Sequence, residues 1–262
     1  MIVWPRPQHM TTSKFTPSPE AVAPYASPKG PPEHRNRLLR MITALGYADF
    51  GGRLERFEVG VPDMLAKQGE SFTHLWFPES CVISLVSVMT DGSSVEVGTI
   101  GNEGFAGLPA YLEADVSETN TFCQIAGSAL RLPVEELIAA AAASAPLRKL
   151  LGRYTQSYLS MVSQSAACNS AHNIEQRCAR WLLMTHDRVD GARQFSLKQE
   201  FLAFMLGVRR AGVTIAAGRL QDQGLIRYRR GLITIVDRDG LERSACECYG
   251  VVRRQFDRLL TG

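Results

Sequence analysis

One segment constrains the fold more than any other, because residues 196–237 carry two helical patterns followed by a hairpin pattern. A capping box that begins at Ser196 predicts a helix from Leu197. Gly207 interrupts this pattern, and a second apolar helical pattern runs from about residue 209 to residue 223. Two helices joined by a short turn that contains glycine are typical of a helix-turn-helix.

A wing is predicted directly after the second helix. Gly224 ends the helical pattern, and the sequences IRYRR and LITIV follow on either side of Gly231. Both are typical of short strands joined by an Arg-Gly turn. The segment therefore predicts a winged helix-turn-helix, because helix patterns, turn residues and hairpin all agree.

The polar residues of this segment indicate double-stranded DNA as the partner. The first turns of a helix in the major groove present side chains to base edges, where an arginine can bind guanine O6 and N7 together. Arg209 and Arg210 lie at that end of the second helix, Gly212 is expected to allow close backbone approach, and Thr214 can reach a phosphate or a base. Arg219 and the wing arginines are assigned to phosphates. The candidate DNA-binding residues are Gln199, Arg209, Arg210, Gly212, Thr214, Arg219, Arg227, Arg229 and Arg230.

The net charge is unevenly distributed along the chain. From Ala171 to the end there are 16 Arg or Lys residues against 10 Asp or Glu residues, a net charge of +6, whereas the whole chain carries +3. A basic C-terminal third favours a polyanionic partner at that end. A solvated basic helix pair that binds nothing is the alternative.

The N-terminal half divides into a tail and a β-rich region. Residues 1–33 hold eight of the 13 prolines and predict a disordered tail. Residues 34–145 begin with a short helical stretch and continue with short apolar runs, among them HLWF, CVISLVSVM, SVEVGTI and TFCQI. Asp91 and Gly92 predict a hairpin turn between the second and third runs. Many short strands at regular spacing favour an antiparallel sandwich or barrel.

A helix opened by Pro133 leads into a longer one over residues 146–170. The longer helix carries an apolar seam at alternating spacings of four and three residues, widened by Leu159, Val162 and Ala166. The seam consists of Leu147, Leu151, Tyr154, Tyr158, Met161, Ser165 and Cys168. This surface favours a homodimer through a twin helix; packing within one subunit is the alternative. Residues 171–262, which begin with the helix NIEQRCARWLLMTHDRV, are predicted to form the DNA-binding domain.

The motifs QEFLAFMLGVRRAGVT, RLQDQGLI and RGLITIVD together resemble the DNA-binding domain of the cyclic-AMP receptor and fumarate-nitrate regulator (Crp/Fnr) superfamily. The resemblance covers about residues 38–260, with NIEQRCARWLL placed like the helix after the family's dimerisation helix. It implies an α+β fold: an N-terminal antiparallel, jelly-roll-like β-roll, a long dimerisation helix and a C-terminal winged helix-turn-helix. It also implies a non-enzymatic, homodimeric transcription regulator that reads a near-palindromic site, with RNA polymerase and a small-molecule effector as further partners.

The sequence departs from the family at its sensor and at its recognition helix. Members that bind cyclic nucleotides carry Gly-Glu and, further along, an arginine that holds the phosphate. Glu103 occupies the acidic position here, but residues 101–130 contain no Arg, Lys or His, so cyclic AMP is not expected to bind by the usual contacts. Ala211 and Ile215 replace a frequent Glu and a later Arg, so the usual operator is not expected. The candidate effector-pocket residues are Glu103, Gly104, Thr119, Thr121, Val162 and Ser163.

The cysteines are expected to be structural, and neither a metal nor a cofactor is predicted. They do not form the paired CxxC motifs of a zinc module, and none precedes Cys81, so the family's N-terminal iron–sulfur motif is missing. Cys246 and Cys248 fall in one predicted helix that Asp237 caps, where residues two apart face different sides; a redox role is the alternative. A packed helix junction is expected at Cys168, His172 and Cys178. A zinc site there is the alternative, but no fourth ligand is evident.

A cytoplasmic protein without a membrane partner is expected. No apolar run approaches the roughly 18 residues that a membrane span needs, and the start MIVWPRPQHM does not resemble a secretory signal. The rival hypothesis is a β-barrel small-molecule-binding protein or enzyme with an incidental basic helix pair. His74 is the one histidine among the β-rich runs between Leu54 and Pro133, and no metal triad or nucleophile set accompanies it.

Overall fold

The computed structural model describes residues 34–91, 94–189 and 194–260. The predicted disordered tail and Gly92 of the predicted hairpin turn lie outside these residues. The described chain has the predicted α+β architecture: antiparallel sheets, one long helix and a helical C-terminal region with a small sheet.

Two antiparallel sheets form the N-terminal β-roll, with strand orders β1-β7-β3 and β2-β6-β4-β5. The four apolar runs that predicted strands correspond to β3, β4, β5 and β6. Strands β4 and β5 pair from Ile83 opposite Ile100 to Val88 opposite Ser94, which confirms the hairpin. The elements are α1 (Arg37–Ala44), β1 (Glu55–Val59), β2 (Met64–Ala66), β3 (His74–Pro78), β4 (Val82–Val88), β5 (Ser94–Ile100), α2 (Leu108–Tyr111), β6 (Asn120–Ile125) and β7 (Gly127–Pro133).

Three helices connect the β-roll to the C-terminal region: α3 (Val134–Ala143), α4 (Ala145–Ala171) and α5 (Ile174–Arg188). The Ser144 hydroxyl accepts a hydrogen bond from the backbone N–H of Leu147 and so starts α4. A capping box of Asn173 and Gln176 starts α5. The break between α4 and α5 is therefore encoded by side chains that satisfy the free N–H groups of the second helix.

The apolar seam of α4 packs within its own chain, which corrects its assignment to a twin helix. Leu147, Leu151, Tyr154, Met161 and Cys168 are at most 1 % exposed, and Tyr158 and Ser165 are half-buried. The β-roll covers part of this surface and the C-terminal helix covers more, since Val252, Phe256 and Leu259 join the same apolar core. The predicted heptad could not distinguish these neighbours from a second subunit, because both require the same apolar spacing.

The C-terminal region comprises β8 (Gln194–Ser196), α6 (Gln199–Leu206), α7 (Arg210–Asp222), β9 (Ile226–Arg229), β10 (Leu232–Ile235), α8 (Arg238–Ser244) and α9 (Cys248–Leu260). Its sheet has the order β8-β10-β9. The predicted capping box at Ser196 is wrong, because Ser196 pairs with Leu232 in the sheet and the Leu197 N–H donates to Gly231 O. Helix α6 begins two residues later, after Lys198.

The single helix predicted after Asp237 is instead two helices. Asp237 caps α8 as expected, but Ala245 adopts an extended backbone conformation that ends α8. Cys246 and Cys248 therefore do not lie on one continuous helix, and the expectation that their side chains diverge is also wrong.

None of the described helices is by itself long and apolar enough to cross a membrane; α6 and α7 meet that criterion only jointly, across a 105° bend.

Candidate nucleic-acid interface

Helices α6 and α7 form a compact helix-turn-helix with an angle of 105° between them. Gly207 makes the turn possible because its φ of +61° lies in the left-handed region, and its N–H caps the last carbonyls of α6. Val213, Ala216, Ala217 and Leu220 bury the inner face of α7. The opposite face of α7 is consequently held toward solvent by packing on three sides, from α5, α6 and β9.

The exposed face of α7 begins with Arg209 and Arg210, as the sequence predicts. Arg209 occupies the N-cap position without a side-chain capping hydrogen bond. Arg210 is 64 % exposed, with one nitrogen 2.9 Å from a carboxylate oxygen of Glu200. An ion pair this exposed contributes little, so DNA can replace it at small cost. Thr214 Oγ1 lies 3.1 Å from both Gln199 Oε1 and Arg210 O, which brings the start of α6 next to the start of α7.

Two exposed apolar residues complete this face, and sequence reasoning did not select them as contacts. Ala211 is exposed and Ile215 is 59 % exposed, although a helix normally turns an isoleucine inward. Both belong to the same turns as Arg210 and Thr214. The signal that could have found them is their spacing, since the inward positions of α7 leave residues 211 and 215 outside.

Gly212 serves helix packing, and its expected role in approach to DNA stays a prediction. A Cβ atom at Gly212 would lie 3.2 Å from Cδ1 of Ile174, so the glycine lets α7 pack closely against α5. Arg219 points to the same neighbour, with its guanidinium 3.4 Å from the carboxylate of Glu175. Arg219 remains 65 % exposed and keeps its charge available at the surface.

The wing is a two-residue hairpin between β9 and β10. Arg230 and Gly231 have φ values of +52° and +78°, the combination that a type I′ turn requires. Arg227 and Arg229 are exposed on one face of β9, and the Tyr228 hydroxyl donates to Leu197 O at 2.7 Å. This hydrogen bond fixes the wing to the segment that leads into α6.

The predicted effector pocket is occupied at its acidic end by a side chain of α5. The buried Glu103 carboxylate accepts from Arg188 Nε at 2.8 Å and lies 2.7 Å from Arg188 Nη2. Gly101 makes room for this arginine, since a Cβ there would lie 2.4 Å from the Arg188 side chain. Glu103 therefore binds a cation from α5 of its own chain.

Gly104 lies next to a second buried side chain, Tyr154 of α4. The Tyr154 ring takes the space that a Cβ of Gly104 would need, and its hydroxyl bridges the backbone N–H and C=O of Phe105. Burial raises the pKa of Tyr154, so the hydroxyl stays protonated and can donate. The β-roll and α4 are thus joined closely at the position where an effector is expected.

The structure does not bring the other effector candidates together with Glu103. Thr121 is fully buried in β6, Thr119 bonds to Ser117 in the preceding loop, and Val162 and Ser163 lie on the outer side of α4. Two cavities at the contact between the β-roll and the C-terminal region have volumes of about 40 and 60 Å³. Small-molecule sites typically measure about 300–1,000 Å³. Neither cavity can hold a nucleotide in this conformation.

Glu96 of β5 links the β-roll to α5. Its carboxylate accepts from the Ser84 hydroxyl at 2.6 Å and from Trp181 Nε1 at 3.1 Å. Burial raises the pKa of Glu96 to about 7, against the opposing effect of these hydrogen bonds and of the Arg188 and Arg180 charges. The carboxyl group can therefore change its charge near neutral pH at an interdomain contact.

Comparison with known proteins identifies the C-terminal region. Residues 176–244 match the family model described as the Crp-like helix-turn-helix domain. No curated protein matches this sequence significantly.

Solved structures with a similar fold include FixK2 from Bradyrhizobium japonicum, with a TM-score of 0.64, 16 % identity, and coverage of 74 % of this chain and 98 % of that one. The transcriptional regulator TTHB099 from Thermus thermophilus has a TM-score of 0.60 at 19 % identity, over 73 % and 96 % of the two chains. The c-di-GMP-responsive global regulator CLP from Xanthomonas campestris has a TM-score of 0.57 at 18 % identity, over 73 % and 98 %. These likenesses establish a shared fold.

Proposed function

We propose that this chain, which joins a Crp-like helix-turn-helix domain to the fold of Crp/Fnr-family regulators, is a homodimeric transcription regulator that reads a near-palindromic DNA site. Helix α7 enters the major groove and the wing contacts the adjacent phosphates. The observation that carries the proposal is the exposed surface of α7 and the wing, where cations surround the exposed start of the helix.

The arginines of this surface are proposed to make two kinds of contact, to bases and to phosphates. Arg209 and Arg210 are at the helix end that reaches base edges, so they are assigned to guanines. Arg227, Arg229 and Arg230 are held on a rigid hairpin, so they are assigned to phosphates, which hold the protein in register.

The exposed apolar residues of α7 would give this chain a base preference of its own. Ile215 and Ala211 offer methyl groups in place of hydrogen-bond donors, and the methyl group of thymine is their complement in the major groove. We expect half-sites that combine guanine, opposite Arg210, with thymine, opposite Ile215.

The homodimer is assigned to the outer face of α4, since the predicted seam is used within the subunit. Leu159 is 53 % exposed at the centre of this face, with Gly152 and Ala166 one heptad to either side. Small residues on both sides of an exposed leucine let two helices approach closely about a two-fold axis. Such a dimer would place two copies of α7 to read two half-sites.

The sensor is proposed to respond to something other than cyclic AMP bound by the usual contacts. Glu103 is neutralised by Arg188, and residues 101–130 contain no cation for a phosphate. A nucleotide phosphate would instead meet the uncompensated acidic residues of that stretch. RNA polymerase is the expected second macromolecular partner of the DNA-bound dimer, and both would act in the cytoplasm.

Selection from random double-stranded DNA, followed by titration of the selected site at several salt concentrations, tests this function. We expect an enriched site with two inverted half-sites, and an affinity that falls linearly on a log–log plot with a slope of about −0.9 per phosphate contact. No enrichment, or binding that is insensitive to salt, would favour the rival small-molecule-binding protein.

A further inference from the structure

Four side chains with metal-binding donor atoms meet where α4 ends. Cys168 lies in the last turn of α4 and His172 is its C-terminal cap, while Cys246 and Cys248 flank the start of α9. Their donor atoms all lie within 4.8 Å of one another. The break between α8 and α9 makes this convergence possible, because both cysteines of the Cys-x-Cys pair then face α4.

The distances are those of ligands around a single metal ion. Sγ of Cys168 is 3.5 Å from Sγ of Cys246, and Nδ1 of His172 is 3.6 Å from Sγ of Cys248. A tetrahedral zinc ion with Zn–S bonds of about 2.3 Å separates its sulfur ligands by about 3.8 Å. An iron–sulfur cluster spreads its cysteines around several metal atoms and needs a wider cage.

We propose that Cys168, His172, Cys246 and Cys248 bind one Zn²⁺ ion in a tetrahedral Cys₃His site. Three thiolates and one imidazole form a set that soft-ligand chemistry assigns to zinc. Because all four positions are filled by protein ligands, the site is structural and leaves no position for a substrate.

The groups around the four ligands have the arrangement that a zinc site needs. Glu247 Oε2 lies 3.3 Å from Nε2 of His172, so a carboxylate can accept the outer N–H of the ring while Nδ1 faces the metal. Gln164 Nε2 lies 3.0 Å from Sγ of Cys248 and donates a hydrogen bond to it. Both contacts orient ligands and support the negative charge on sulfur.

Two cationic side chains lie near the cluster, although burial raises the pKa of the Cys168 and Cys246 thiols. Three thiolates with one Zn²⁺ carry a net charge of −1, and the guanidinium groups of Arg177 and Arg180 interact electrostatically with Cys168. Arg180 is buried and donates to the Ser165 hydroxyl, while Arg177 donates to Leu206 O. Neither arginine forms an ion pair with a carboxylate among the described residues. Arg177 would partly balance the charge of the site, and so would Arg180, which also interacts electrostatically with Glu96.

Packing of the cysteines as small apolar residues explains this cluster less well than metal binding does. Cys168, Cys246 and Cys248 are at most 5 % exposed, yet they form a buried group of their own, separate from the three larger apolar cores. Cys178 shows the contrast, because it packs among apolar residues of the DNA-binding core. A buried cysteine group with a histidine and a glutamine directed at it has the polarity of a ligand shell.

Zinc would fasten the end of α4 to the junction between α8 and α9. The two segments are 78 residues apart at Cys168 and Cys246, so one ion closes a long loop. The metal would thereby fix the position of the C-terminal helices on the long helix. This inference stands independently of the proposed DNA binding.

Metal analysis of the full-length protein, purified under reducing conditions from zinc-supplemented medium, tests the site. We expect about one zinc ion per chain in the wild type. C246S and C248S should lose at least four-fifths of it, and Glu247→Gln should weaken zinc affinity by roughly tenfold or more in a chelator competition. C178A, which removes a buried cysteine outside the cluster, should keep the wild-type content.

Cobalt binding by the wild type keeps the test decisive if a variant does not fold. Apoprotein titrated with Co²⁺ should develop intense sulfur-to-cobalt charge-transfer absorption and the visible bands of tetrahedral cobalt, which saturate at one equivalent. Absence of zinc together with absence of these bands would overturn the proposal. A Cys168–Cys246 disulfide in the reduced preparation, or equal metal loss in C178A and C246S, would overturn it as well.

Discussion

Arg210 carries the clearest individual assignment, because its guanidinium is exposed at the start of α7 and its only described ion pair, with Glu200, is a surface contact. Removal of this group should remove discrimination at one base position while most of the phosphate contacts remain. Sequence preference and overall affinity are therefore separable at this residue.

We predict that Arg210→Ala weakens binding to the selected site by about 1–3 kcal/mol and relaxes preference at one position of each half-site. Selection from random DNA with both proteins measures the preference. Arg254→Ala, which removes an exposed arginine of α9, is the matched control and should keep the wild-type site. An identical enriched sequence for Arg210→Ala and wild type would show that this arginine does not read bases.

The Glu103–Arg188 pair is the buried ion pair that joins the β-roll to α5. Glu103→Ala leaves the guanidinium uncompensated in a buried position, so the free energy of unfolding should fall by about 3–5 kcal/mol. The double variant Glu103→Leu with Arg188→Met should recover most of that loss, because no buried charge remains. Denaturant unfolding of the wild type, Glu103→Ala and the double variant measures these free energies. A loss of less than about 1 kcal/mol for Glu103→Ala would contradict the burial of the pair.

Glu96 predicts a pH dependence of stability with a definite sign. Its folded-state pKa of about 7 lies above the ordinary 4.5, so the folded protein binds more protons than the unfolded chain between these values. Stability should therefore decrease as pH rises through this window, by up to about 3 kcal/mol relative to Glu96→Gln. If the free energies of unfolding of the wild type and Glu96→Gln changed in parallel between pH 4.5 and 7, Glu96 would be excluded as the source of the pH dependence.

At the scale of elements, the helices and strands with the strongest local signals were predictable. The apolar runs gave β3 to β6, Gly207 and Gly224 bounded the helices of the helix-turn-helix, and the Arg-Gly turn gave the wing. These features follow from residues close in sequence. The exposure of the charged positions on α7 was predictable for the same reason, since helix spacing determines which face of α7 they share.

Features that depend on distant residues were not predictable. Ser196 has the local form of a helix cap, but pairing with Leu232 places it in a strand. The α4 seam has the form of a dimer interface, but α9 occupies part of it. Arg188 gave no sign that it would reach Glu103, because the two are brought together only by the packing of α5 on the β-roll.

In the wing, the charge of Arg230 can be removed without a change in the backbone conformation of the turn. Arg230 adopts a left-handed conformation, which asparagine tolerates well, so Arg230→Asn removes the cation and keeps the turn. Affinity should fall by the same factor for selected and unrelated DNA, and the salt slope should decrease by about one for each phosphate that this cation no longer neutralises. An effect confined to the selected sequence would show that Arg230 reads bases.

At the scale of the whole molecule, the proposed homodimer would form through the outer face of α4. Leu159→Glu places a charge at the centre of that face, and we expect a monomer that binds the two-half-site DNA at least tenfold more weakly. Leu112→Glu alters a leucine of similar exposure, 56 % against 53 %, on the loop after α2 and should remain dimeric. Sedimentation velocity distinguishes the species. A dimeric Leu159→Glu protein would place the interface elsewhere.

The central claim is that α7 lies in the major groove, and methylation interference on the selected site tests it most directly. Dimethyl sulfate modifies guanine at N7, in the major groove, and adenine at N3, in the minor groove. We predict that N7 methylation of one guanine in each half-site abolishes binding, at positions separated by about one helical turn or a multiple of it. Binding that tolerates N7 methylation throughout, or that is blocked only by adenine N3 methylation, would contradict the claim.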